Sequence, residues 1–159
     1  MCGGMTGSLM PSLSAEGVPT RGGVPQSSNF SLTAFLAGLS KTIATKIPDV
    51  HYDGLAVFDF EAFTPIWSED TGAGGWHSKA YRVYSMKLVQ QAHPSWARAK
   101  VEAEATKQFE AAATQLFVSA LEQGKKLRPQ ALWGFYGMRA LPAASPILGV
   151  YPVCLLATN

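Results

Sequence analysis

Leu32, Phe35, Leu36, Leu39 and Ile43 share one face of a helix when wound at 3.6 residues per turn. Asn29 or Ser31 can cap its start, and Pro48 stops it. The pattern then changes. Leu55-Ala56-Val57-Phe58 is an unbroken apolar run of strand length, preceded by Gly54 and followed by Pro65, and the spacing predicts a strand from Leu55 to Phe60. Buried runs of this kind belong to parallel sheets covered on both faces. A long connection, Glu61 to Ser78, follows and holds Trp67, Trp76 and a glycine-rich stretch; loops of this length in compact domains are usually functional walls or lids.

Two helices come next. The first is predicted from Lys79 to Gln91, with Tyr81, Tyr84, Leu88 and Val89 inward and His93-Pro94 as its stop. The second runs from Ser95 to Gln123 on a stripe of Val101, Ala105, Phe109, Ala112, Leu116 and Ala120, with Gly124 placed to end it. Ala131 to Tyr136 reads as a short aromatic strand after the Arg128-Pro129 turn. A strand, a helical crossover and a second strand make a right-handed parallel unit, so both strands should end on one rim.

That rim carries the candidate chemistry. Alternate side chains of an extended segment share a face, so Asp59 and Glu61 point together while Phe60 points away. Neighbouring carboxylates resist losing both protons, and the one that keeps its proton can act as a general acid, the chemistry of glycoside cleavage. Active sites of parallel sheets gather at the carboxyl ends of strands, where Tyr136 would join the pair. A D-x-E triplet also reads as an ordinary solvated strand end.

Composition narrows the field. A chain of 159 residues, 47% hydrophobic and 15% charged, is a globular protein with one domain's worth of core. Its net charge is +2, and the only basic group, Lys125-Lys126-Leu127-Arg128, lies where a helix dipole would be complemented, so no nucleic acid partner is expected. His51, His77 and His93 lack the spacing of a zinc site, and there is no P-loop or dinucleotide fingerprint, so neither metal nor cofactor is expected. Cys2 and Cys154 permit a disulfide or two free thiols. Met1 to Gly23, rich in Gly, Ser, Pro and Thr, lacks the pattern of a secretory signal and reads as a flexible lead-in. Ala140 to Ala157 is apolar, but Pro142, Pro146 and Pro152 would break a membrane-crossing helix.

Gly22-Gly23-Val24-Pro25-Gln26, Asp53 to Glu61, Tyr81-Arg82, His93-Pro94-Ser95-Trp96, Arg128-Pro129 and Leu132-Trp133-Gly134-Phe135-Tyr136-Gly137 together resemble the animal-type hyaluronidases, glycoside hydrolase family 56. The resemblance implies cleavage of β-1,4 bonds in hyaluronan, and in many members chondroitin, with a glycosaminoglycan as the partner. It implies Glu61 as proton donor, Asp59 as its companion acid, and Tyr136 as a contact to the substrate's acetamido group, whose own oxygen is the nucleophile. Trp67 and Trp76 are candidate sugar-stacking faces; for Trp133 a core role is favoured.

Where family members carry aromatic-Arg-Pro, this chain has Phe63-Thr64-Pro65, and after Gly137 the resemblance stops. An eight-unit barrel takes about 250 residues. The expected fold is therefore α/β, a fragment of a distorted TIM-like (β/α) barrel with parallel strands and long covering helices. Residues 1–21 are expected to be a disordered or foreign lead-in, 22–137 the partial barrel and 138–159 a divergent apolar tail. Such a chain would have low or no activity, the alternative being a non-catalytic polysaccharide-binding or regulatory fragment. The family address is secreted or lysosomal.

Overall fold

The computed structural model describes residues 9–72 and 78–136. Cys2, Cys154, Trp76, His77 and the apolar stretch from Ala140 lie outside these residues. In chain order the elements are β1 (Ser12–Leu13), β2 (Pro19–Thr20), α1 (Leu32–Lys46), β3 (Leu55–Phe58), a 3-10 turn (Trp67–Glu69), α2 (Ala80–Ala92), α3 (Arg98–Leu127) and β4 (Leu132–Phe135). They divide into two compact units. One contains residues 36–60 and 120–136, and the other residues 10–35 and 61–119.

In the first unit β3 and β4 pair in parallel, from Leu55 opposite Leu132 to Phe58 opposite Phe135. Ala56, Val57 and Phe58 are all buried, with no alternation of exposed positions, as a strand covered on both faces requires. Phe58 lies 4.9 Å from the Trp133 ring and 5.1 Å from that of Phe135. Leu39 and Ile43 of α1 are buried, and Ser31 caps that helix by accepting the Ala34 N–H at 3.2 Å.

The end of α3 differs from expectation. Gly124 does not stop the helix, which continues to Leu127. A Cβ at Gly124 would lie 2.6–2.8 Å from three ring atoms of Trp133, so glycine is there to let the indole lie against the helix. The helix ends instead at Arg128, whose side chain donates to the carbonyls of Ile47, beyond α1, and of Leu127, at 2.7 Å for the latter. Within the basic group it is thus Arg128 that serves this helix end, by donating to the Leu127 carbonyl.

In the second unit the core is aromatic. Phe63 is surrounded by Tyr81, Phe109 and Phe117, with ring centroids 4.9, 5.5 and 6.0 Å away. On α3 the buried stripe is Val101, Ala105, Phe109, Ala113 and Leu116; Ala113 takes the place expected for Ala112, which is half-buried. Ser85 is fully buried on α2, where its hydroxyl donates to Tyr81 O at 2.7 Å and accepts from Gln26 Nε2 at 2.8 Å.

The lead-in is also corrected from residue 9 onward. β1 and β2 form an antiparallel hairpin, and Leu13 donates its N–H to the Tyr81 hydroxyl at 3.3 Å. Gly22 and Gly23 adopt φ of 82° and 77°, a backbone region that suits glycine, and Cβ atoms there would strike Ser27 and Leu13 respectively. Met10 and Val24 are buried. Composition alone suggested flexibility because small residues carry no periodic signal. Among the described residues no helix is long and apolar enough to cross a membrane.

Candidate active site

The site begins where the parallel ladder ends. Tyr136 donates its N–H to Phe58 O at 2.9 Å, one step past the paired residues. Asp59 and Tyr136 are therefore the first residues past the paired segments, at the carboxyl ends of adjacent strands. Both are accessible: Asp59 is exposed and Tyr136 is 42% exposed, against a Phe58 that is fully buried. β3 stops at Phe58, two positions short of the predicted end, where the ladder reaches Phe58 opposite Phe135.

Past the ladder the chain alternates in exposure. Asp59 is exposed and Phe60 is buried, and Glu61, where the chain re-enters the second unit, is half-buried. Its loop is closed at the base by Ser78 N–H donating to Ala62 O at 2.9 Å.

Trp67 does not match its expected role. It is only 6% exposed, its ring meets Phe109 edge-on at 5.7 Å, and the Arg82 guanidinium stands 5.1 Å from its centroid. Its backbone N–H donates to Glu110 Oε1 at 2.9 Å. A ring enclosed in this way has no face left for a sugar, so Trp67 is a core residue that anchors the loop. Trp133 is buried too and donates its indole N–H to Arg128 O at 3.2 Å, the core role favoured for it.

Thr64 is buried within the same loop. Its N–H donates to Asp70 Oδ1 at 2.9 Å, and its hydroxyl accepts from Ile66 N and donates to Ile66 O, both at 3.2 Å. Asp70 is fully buried and was not among the residues picked from sequence; nothing in the polar string Ser68-Glu69-Asp70-Thr71 marks which member turns inward. Burial pushes its carboxyl up to about 7, with the Glu69 charge adding to the rise, while the Thr64 N–H and the Arg82 charge oppose it. Burial also raises the Tyr81 phenol, with Asp70 contributing.

The hyaluronidase family profile matches residues 7–140, beginning ahead of the first motif at Gly22. The chain belongs to the hyaluronidase family. It is 44% identical over 127 residues to Hyaluronidase-1 of Bos taurus, covering 79% of this chain and 27% of that one. It is 37% identical over 121 residues to the chondroitin hydrolase of Caenorhabditis elegans, covering 76% and 25% of the two. The crystal structure of bee venom hyaluronidase in complex with a hyaluronic acid tetramer superposes with a TM-score of 0.72 at 31% identity, over 84% of this chain and 39% of that one. This hyaluronidase-family chain thus spans about a quarter of the length of the first two relatives. Mixed helix and strand is the architecture it shares with the bee venom protein.

Proposed function

We propose that this chain carries the acid pair of a retaining endo-β-N-acetylhexosaminidase acting on hyaluronan, and on chondroitin as a second substrate. The observation that supports the reading is the placement of Asp59 and Tyr136 at adjacent strand ends, with Glu61 two residues after Asp59 in the D-x-E triplet. The two strands and long helices are read as a segment of a distorted (β/α) barrel, whose sites lie at this end of the strands.

Glu61 would give its proton to the departing glycosidic oxygen and then take one from the incoming water. The substrate's acetamido oxygen attacks the anomeric carbon, and its advantage is the orientation and entropy saved by an intramolecular nucleophile. Asp59 would balance the positive charge that the acetamido group acquires, and Tyr136 would hold that group in place. No cofactor enters this scheme. The relatives named for hyaluronan and chondroitin cleavage, and the tetramer in the bee venom crystal, support the substrate class.

A second reading, from another class, is polysaccharide binding without turnover. A reducing-end assay on hyaluronan and on chondroitin, run beside binding to hyaluronan oligomers, separates the two. Turnover lost in Glu61→Gln supports the acid role, and turnover that survives the change removes it. Binding unchanged by Glu61→Gln, without product from either form, selects the second reading.

A further inference from the structure

Asp70 is a side chain that the catalytic reading does not use. Its Oδ1 accepts the Thr64 N–H, closing a turn around the Trp67–Glu69 helix, while Oδ2 is buried with no hydrogen-bond partner. Other ties hold the same segment: Trp67 N–H to Glu110 Oε1, Lys79 N–H to Gly72 O at 3.0 Å, and the Ala62–Ser78 bond. Glu110 also carries an ionisable group, which the test below must separate from Asp70.

We propose that the Asp70 carboxyl is a protonation latch on the Thr64–Asp70 turn, which tightens as the carboxyl takes up a proton. The ionised form places a charge where one oxygen has no donor, and an unpaired buried charge is strongly disfavoured against hydration. Opening the turn lets that oxygen reach water. The neutral acid keeps Oδ1 as acceptor for Thr64 and removes the charge, so the closed turn is favoured.

The charged and titratable neighbours pull in opposite directions, and burial decides between them. Glu69, on the turn itself, repels the ionised form; Arg82 of α2 attracts it; the Tyr81 phenol of α2 is affected by it; and Glu110 of α3 is occupied by Trp67 N–H. Burial outweighs the Arg82 attraction and sets the carboxyl at about 7, so a change of pH around neutrality moves the latch. Glu61 lies just upstream of Thr64. Asp70 is therefore a positioning residue acting through Thr64; its effect on Glu61 rests on the catalytic role proposed above, and the latch itself does not.

The test is the Thr64 amide in the isotopically labelled full chain, followed by NMR as pH is raised. The amide shift should move with a midpoint of about 7, and its hydrogen-exchange protection, corrected for intrinsic rate, should be roughly tenfold greater at about pH 5 than at about pH 8. Asp70→Asn should abolish both changes and Glu110→Gln should preserve them. A midpoint in the ordinary carboxylate range overturns the latch, as does a flat protection profile or a titration that persists in Asp70→Asn or vanishes in Glu110→Gln. The wild-type titration decides the matter even if a variant does not fold. Failure of the hyaluronan assay would leave this result untouched.

Discussion

Trp133 explains Gly124 better than helix-ending chemistry does. In a sequence the glycine falls where a stop is wanted, yet three atoms of the indole occupy the space that any side chain would need. Gly124→Ala would gain about 1 kcal/mol of helix propensity. Against this, the ring cannot swing away, since it is hydrogen-bonded to Arg128 O and stacked on Phe58, and overpacking of this kind costs about 1–3 kcal/mol. The variant should be less stable than wild type, its urea midpoint lower with an unchanged slope. A higher midpoint would show that the indole yields. Asp70 carries a second prediction at this scale. Its folded-state value of about 7 stands above the ordinary 3.8, so the folded chain holds the proton more firmly. Its stabilising contribution is complete below 3.8 and is lost as pH rises through about 7. Urea unfolding at about pH 5 and about pH 8 should therefore show a larger loss of stability in wild type than in Asp70→Asn. Equal losses would place the titration elsewhere. Neither residue's part could be read from the chain, because a glycine's neighbour and a carboxylate's burial are set by segments remote in sequence.

Elements were legible where burial imposes a period. The inward faces of α1, α2 and α3 show in the sequence because each helix must hide a stripe; Phe35, Tyr81 and Phe109 are buried as their spacing demands. Boundaries were less legible. β3 pairs with β4 as far as Phe58 opposite Phe135, a fact of pairing that Phe60's own propensity does not carry. The β1–β2 hairpin was invisible for a related reason: the Tyr81 hydroxyl holds it from α2. Arg128 is the junction at which this dependence can be measured. Buried, it satisfies carbonyls of Ile47 and Leu127, and its own carbonyl takes the Trp133 indole N–H just before β4 begins. Arg128→Met keeps much of the apolar stem but leaves those carbonyls without the donor. It should destabilise the chain by about 2–3 kcal/mol, read as a lower thermal midpoint. A change within about 0.5 kcal/mol would mean that water replaces the guanidinium.

At the scale of the whole chain, the rim bearing Asp59 and Tyr136 depends on a long-range event. β3 must meet β4 in parallel, Leu55 opposite Leu132, with all of α2 and α3 lying between them in sequence. The helices and their aromatic contacts around Phe63 and Phe109 are closer in sequence than the strand pair, so loop-closure entropy delays the pairing relative to them. That order also explains why the candidate site was only partly legible. Asp59 and Glu61 announce themselves locally as a D-x-E triplet, and Tyr136 could be placed at the strand end beside Asp59 only through the rule for strand crossovers. Val57 tests the sequence of events. It is buried opposite Gly134, and Val57→Ala should lower stability by about 2 kcal/mol. If the strands pair after the main barrier, the loss falls on the unfolding limb: stopped-flow kinetics should show unfolding roughly thirtyfold faster and refolding changed by less than about twofold. Slower refolding with unchanged unfolding would instead put the strand pair in the folding nucleus, and the rim bearing Asp59 and Tyr136 would then form early.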